Sequence, residues 1–152
     1  CSIISSSFPH CFMGITDEGE PAICKTKGNE NCHIILRGST NSTNYDKNSI
    51  NTTLKALLGK NLQPNIMVDC SHGNSKKIHT NQTIVFDDII NQITDYFPYN
   101  SPIIGAMIES NINEGNQKLV DYNNLKKGVS ITDSCISIKT TKEIILKAYD
   151  KL

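Results

Sequence analysis

Ile66-Met67-Val68-Asp69-Cys70-Ser71-His72-Gly73-Asn74-Ser75 is the stretch on which the fold turns. An apolar run, Ile66–Cys70, proceeds almost without alternation and then breaks into a polar loop. A strand with one wet face would alternate polar and apolar residues; a near-continuous run belongs to a strand buried on both faces, as in a parallel sheet. Cys32–Leu36, which runs into Arg37-Gly38, has the same shape. So does Ile103–Ile108, which runs into Glu109-Ser110-Asn111.

Helical patterns separate these strands. In Ser49–Leu58 the residues Ile50, Leu54, Leu57 and Leu58 fall on one face, and Gly59 is placed to terminate the helix. In Thr83–Phe97 an apolar residue recurs every four positions (Val85, Ile89, Ile93, Phe97), and Pro98 closes the segment. Thr140 and Glu143 have capping-box spacing at the start of a last helix, whose apolar face reads Ile145, Ala148, Tyr149 and Leu152. Upstream, Cys11–Ile15 and Ala22–Lys25 flank the polar, Gly-containing link Thr16–Glu20 and predict a hairpin. Strand, helix, strand, helix, strand, helix is the order of right-handed βαβ units, so the fold class is α/β. Ser110–Gly128 reads as a long polar connection, of the kind often functional or mobile.

The bulk numbers fit one domain with a core of Ile, Leu and Val: 152 residues, 38% hydrophobic, 20% charged and 6% aromatic with no Trp. A formal net charge of zero and a pI near 7.0 give no electrostatic reason to expect nucleic acid or an acidic membrane as partner. No apolar run approaches the roughly 20 residues that span a bilayer, and Cys1–Pro9 does not read as a secretory signal. The lack of an initiator Met implies that the chain begins inside a longer product. Six cysteines at irregular intervals contain no Cys-x-x-Cys pair, which argues against structural zinc and for free thiols in a reducing cytosol.

In parallel α/β folds ligands bind at the carboxyl ends of strands. Here those ends deliver Arg37, His72 and Glu109, and Asp133 follows in Ser130-Ile131-Thr132-Asp133-Ser134-Cys135. A nitrogen donor with two carboxylates suits Mn, Fe, Zn or Co better than Ca or Mg. The planar fork of Arg37 suits a phosphate or carboxylate. Each residue alone also has an ordinary structural reading. His72 could fill a polar loop, Glu109 could pair with a neighbour, Asp133 could cap the approach to a helix, and Arg37 could form a surface ion pair. Asp69, inside an apolar strand, is expected to make a structural hydrogen bond or one that orients a ligand. His10, His33 and His79 read as structural or exposed.

Longer stretches carry a resemblance. His33-Ile34-Ile35-Leu36-Arg37-Gly38, Met67 through Ser75, Met107-Ile108-Glu109-Ser110-Asn111-Ile112-Asn113-Glu114-Gly115-Asn116-Gln117 and Gly128 through Ile136 resemble, in order, the type I microbial and fungal 3-deoxy-D-arabino-heptulosonate 7-phosphate (DAHP) synthases. Pro9 through Thr16 and Thr26-Lys27-Gly28-Asn29-Glu30 look like the same branch, so the likeness covers essentially the whole chain. Ser39, Lys127 and Ile138 depart from the family pattern, which commonly has a Gly, an aromatic and a Trp there.

The resemblance implies a (β/α)8 TIM-type barrel, of which residues 1–152 would be the C-terminal half, about four βα units, with an inserted β-hairpin. It implies a cytoplasmic, homo-oligomeric transferase that condenses phosphoenolpyruvate with erythrose 4-phosphate, the first step of the shikimate pathway of aromatic amino-acid biosynthesis. A divalent metal (Mn, Fe, Co or Zn) would be held by His72, Glu109 and Asp133 together with a Cys that none of the cysteines here matches by motif. Arg37 would grip the phosphate of phosphoenolpyruvate, with His72, the catalytic residue, against the same substrate. The metal would polarise the aldehyde of erythrose 4-phosphate for attack by C3 of phosphoenolpyruvate; water would then add at C2 and phosphate would leave. Phe12 and Gly14 would wall a pocket for an inhibiting aromatic amino acid. The erythrose 4-phosphate loop and further basic phosphate ligands belong to an N-terminal half, so the chain alone is not expected to be active. Two other readings stand beside this one: a sister enzyme for another sugar phosphate, against which Glu109 through Gln117 speaks, and a non-catalytic half-barrel with a binding or regulatory role.

Overall fold

The computed structural model describes residues 2–96 and 99–152. Phe97 and Pro98, expected to end the second predicted helix, lie outside the described residues. The chain divides into two compact units, Cys1–Ile34 and Ile35–Leu152.

The first unit holds a short helix, α1 (Ser2–Ser7), and two strands, β1 (Cys11–Ile15) and β2 (Pro21–Lys25). The strands pair antiparallel with Cys11 opposite Lys25 and Ile15 opposite Pro21. The turn closes by bonds from Thr16 N–H to Glu20 O (2.9 Å) and from Gly19 N–H to Thr16 O (2.9 Å). The polar link Thr16–Glu20 thus makes the expected hairpin, with Gly19 at φ 87°, where a side chain would be strained. Below the strands, His10 N–H donates to the Thr26 hydroxyl (2.9 Å) and Thr26 N–H to His10 O (2.9 Å). His10 is structural, its Nε2 lying 2.7 Å from Ser5 O.

The second unit begins within β3 (Ile34–Leu36) and continues through α2 (Lys47–Leu58), β4 (Ile66–Asp69), α3 (Asn81–Asp95) and β5 (Ile103–Met107). Two short strands follow, β6 (Ser110–Asn111) and β7 (Ile136–Ser137), then α4 (Ile138–Tyr149). β4 lies between β3 and β5 and pairs with β5 in parallel. β6 and β7 form a second parallel pair. The alternation of strand and helix read from the sequence is therefore a mixed α/β structure with parallel sheets.

The core is Leu36 and Ile66, Val68, Ile103 and Ile136 from the strands against Ile50, Leu57, Val85, Ile89 and Ile90 from the helices. Truncating a residue such as Ile89, fully buried, to Ala costs about 2–5 kcal/mol, because the transfer term is joined by a cavity. Of the runs expected to be buried on both faces, β4 alone is. Ile35 in β3 is 44% exposed and Ile104 in β5 is 51% exposed.

Local chemistry sets the helix ends, with several departures from the sequence reading. α2 starts at Lys47 because the Asp46 carboxylate accepts from the N–H groups of Asn48 and Ser49. Gly59 ends it in the right-handed region, and the left-handed residue is Asn61, at φ 54°. Leu58 is exposed. α4 is capped by Ser137, whose hydroxyl accepts from Thr140 N–H (3.1 Å), so Thr140 sits inside the first turn and the Thr140–Glu143 capping box does not form. Of its expected face Ala148 alone is buried; Ile145, Tyr149 and Leu152 are exposed. The inward stripe instead runs through Thr141 and Ile144, both half-buried, and the buried Ala148.

The connection Ser110–Gly128 is more ordered than its polarity predicts. Asn113 N–H bonds Gly128 O (2.8 Å) and Gln117 N–H bonds Ser130 O (2.8 Å). The Gln117 side chain donates to the carbonyls of Lys126 (2.8 Å) and Val129 (3.0 Å). Among the described residues no helix is long and apolar enough to cross a membrane.

Candidate metal and anion site

The ends of β3, β4 and β5 and the approach to β7 carry Arg37, His72, Glu109 and Asp133, as their positions in the sequence anticipate. The β3 and β4 loops touch main chain to main chain. Gly73 N–H (3.1 Å) and Asn74 N–H (3.3 Å) both donate to Arg37 O. Gly38 makes that approach possible, since at φ 70° a Cβ would meet Asn74 N at 2.7 Å. His72 itself is left-handed, at φ 48°, an unfavourable conformation for a residue with a Cβ. The buried amide of Asn74 holds the loop there, donating to Leu36 O (3.0 Å) and Asp69 O (2.9 Å).

His72 is oriented from behind. Its Nδ1 lies 2.7 Å from Asp69 Oδ2, while Asp69 Oδ1 accepts from Ser71 N–H (2.8 Å). Asp69 is 2% exposed, so the hydrogen bond expected of a carboxylate inside an apolar strand is present, and it goes to His72. A buried carboxylate at that distance favours the tautomer in which Nδ1–H donates to it, and in that neutral tautomer the lone pair of Nε2 faces outward. Facing it are Glu109 Oε1 at 3.6 Å and Asp133 Oδ2 at 3.6 Å. The other Glu109 oxygen accepts from the Ser71 hydroxyl at 2.7 Å.

One ligand atom from each of His72, Glu109 and Asp133 lies within 4.8 Å of the others. A nitrogen lone pair and two carboxylate oxygens pointed at one another repel unless a cation or proton sits between them. The 3.6 Å separations are close to what bonds of about 2.1 Å to a shared ion would give. Neutral imidazole with carboxylates is a donor set for Mn, Fe, Co or Zn. The residues present fit such a metal.

Two thiols lie close to these residues in the chain, Cys70 and Cys135. Burial and the nearby carboxylates of Glu109 and Asp133 push the Cys135 thiol up, against a hydrogen bond from Ser130. Burial, with Asp69 adjoining, pushes Cys70 up to about 12.

Beside these three residues is an open cleft of about 740 Å³ lined by Arg37, Ser39, His72, Lys76, Lys77 and Asp133, among others. Arg37 has no ion-pair partner among the described residues, so its guanidinium is available to an anion. Sequence reasoning passed over Lys76 and Lys77, although two adjacent cations directly after Asn74-Ser75 were the signal. Both have positive φ, 55° and 60°. It also missed Ser71. His79, read as structural or exposed, is half-buried with Nδ1 2.9 Å from the Ser134 hydroxyl, next to Asp133. Phe12 and Gly14 lie in the hairpin of the first unit. The space beside Gly14 is taken by Cys24, whose Sγ would lie 2.5 Å from a Cβ at that position.

The family model described as the DAHP synthetase I family matches residues 2–146. The chain is 46% identical over 152 residues to the tyrosine-inhibited phospho-2-dehydro-3-deoxyheptonate aldolase of Candida albicans, covering 96% of this chain and 40% of that protein. It is 41% identical over 145 residues to the Tyr-sensitive enzyme of Escherichia coli, covering 95% of this chain and 40% of that one. A solved phospho-2-dehydro-3-deoxyheptonate aldolase from Francisella tularensis superposes with a TM-score of 0.90 at 36% identity, covering 99% of this chain and 42% of that chain. The chain thus spans about two fifths of the length of the relatives it matches.

Proposed function

The chain belongs to the DAHP synthetase I family, and from that premise we propose that it supplies the metal-binding side of a DAHP synthase active site. The reaction is the condensation of phosphoenolpyruvate with erythrose 4-phosphate to DAHP and phosphate. The observation that carries this reading is the convergence of His72, Glu109 and Asp133 beside the unpaired guanidinium of Arg37.

In this reading residues 1–152 are the C-terminal part of a single (β/α)8 barrel, with β1 and β2 as a hairpin inserted in it. The exposed side chains of Ile35 and Ile104 would be covered by the remaining βα units. The full protein is a cytoplasmic homo-oligomer. When bound, the divalent ion supplies Lewis-acid polarisation of the aldehyde oxygen. The chain's own residues do the rest of the positioning. Arg37 grips the phosphate of phosphoenolpyruvate bidentately, and Lys76 and Lys77 add positive charge to the same cleft. Asp69 keeps the Nδ1 proton on His72, so that Nε2 faces the site without one. Ser71 ties up one Glu109 oxygen and leaves the other directed at the metal position.

The hairpin residues Phe12 and Gly14 form one wall of a pocket for an inhibiting aromatic amino acid. The relatives from Candida albicans and Escherichia coli are named for tyrosine, which supports that choice of ligand.

The deciding assay follows consumption of phosphoenolpyruvate with and without erythrose 4-phosphate. Residues 1–152 alone are expected to associate and to show no turnover. Mixed with an N-terminal half from a relative, they are expected to turn over, to stop with chelator and to resume with Mn. Turnover that survives Arg37→Ala and His72→Ala together would sink the proposal.

A further inference from the structure

Gln82 is fully buried in the first turn of α3, where most polar side chains reach solvent. Both ends of its amide go to a single residue. Gln82 Oε1 accepts from Glu109 N–H at 2.8 Å, and Gln82 Nε2 donates to Glu109 O at 3.2 Å. This reproduces, with a side chain, the pair of bonds that one strand residue exchanges with its neighbour. The location explains the need. Cys70 N–H to Met107 O (2.8 Å) is the last such bond between β4 and β5, so Glu109 lies past the end of that pairing. From the other side Ile136 N–H donates to Glu109 O at 3.0 Å. The backbone of Glu109 is thereby held between α3 and β7, while its side chain faces His72 at 3.6 Å.

The geometry points to Gln82 as a positioning residue for the metal site, one that sets the aim of the Glu109 carboxylate without touching the ion. The inference rests on the metal-site reading above. A buried amide that merely filled space would be replaceable by an apolar side chain of similar length at little cost to ligand geometry. A clamp would not, because Glu109 N–H would lose its partner and the residue could turn.

The test titrates Mn(II) alone into the intact protein, reads free Mn(II) by electron paramagnetic resonance, and records the visible spectrum of the Co(II) form. Gln82→Met is expected to weaken Mn(II) binding by about 10- to 100-fold, the usual cost of losing a partner behind a ligand, and to shift the Co(II) bands. Val85→Ala, which cuts a cavity in the same helix, is expected to lower thermal stability and leave both readings at parental values. Glu109→Gln separates the two ideas. If it leaves Mn(II) binding unchanged, the metal-site reading falls and this proposal with it. If it abolishes binding while Gln82→Met matches the parent, the clamp alone is overturned. Should Gln82→Met not accumulate folded, Gln82→Asn, which withdraws the amide by one methylene, decides by the same comparison.

Discussion

The hairpin of β1 and β2 and the strand ends around His72 are built from equally apolar sequence, yet they are held in opposite ways. No described residue of Ser2–His33 is buried, and Met13 and Ile15 are 80% and 76% exposed. Around His72 the reverse holds: Asp69, Ser71, Asn74, Ser75 and Gln82 are all buried, and all are polar. A two-stranded ribbon with both faces wet keeps little beyond its ladder bonds, whereas buried polar groups must be satisfied and so hold one geometry. Apolar strands alone do not make a rigid region; burial of satisfied polar groups beneath a loop does.

The widest gap should appear in hydrogen exchange of the isolated chain. Amides of Met13 and Ile23 are expected to exchange on the order of a thousandfold faster than those of Val68 and Cys70, which open only with the whole unit. Equal protection would break the comparison. Substituting the proposed ligands sharpens it. His72→Ala or Glu109→Gln is expected to weaken metal binding by more than the roughly 100-fold typical of an outer partner, with the fold retained. Unchanged metal content in both variants, measured by elemental analysis, would remove the assignment.

The same substitution can be made in each region. Gly38→Ala puts a Cβ at positive φ against the backbone of Asn74 and is expected to cost about 2–4 kcal/mol in denaturant unfolding. Gly14→Ala meets a thiol that can rotate away, and is expected to cost less than about 1 kcal/mol. Comparable losses would show that the hairpin is packed as firmly as the site.

The smallest effect lies at Asp46. Its carboxyl is held below the usual range, first by the Ser49 hydroxyl and then, against some desolvation, by backbone N–H groups. A depressed carboxylate stabilises the fold above its unfolded pKa and loses that effect as the pH falls through the folded value. Asp46→Ala should cost about 1 kcal/mol at pH 7. The two proteins should converge in thermal melts as the pH drops below about 4.

Much of the second unit was legible in the sequence. β4 was bounded to within a residue because an apolar run that meets a polar loop is a local signal. Arg37, His72, Glu109 and Asp133 could be picked out because each follows a strand or precedes a helix, in motifs long enough to resemble one family. β6 and β7 were not legible, since two-residue strands carry no periodicity. The start of α4 was misread because Thr140 offered the same capping chemistry as Ser137, and the choice between them depends on where β7 ends.

From the sequence alone came the places of β3, β4 and β5 and the polar residues at their ends, because both are properties of neighbouring positions along the chain; which of those strands is buried on both faces was not among them. Only the packed structure places Nε2 of His72 against two carboxylates at 3.6 Å, Asp69 behind its Nδ1 and Gln82 on the backbone of Glu109. Apart from the local Asp69–His72 pair, these contacts join segments far apart in the chain. Hydrogen-bond direction and lone-pair aim exist only once several segments are packed together, and no spacing rule along one of them encodes the result.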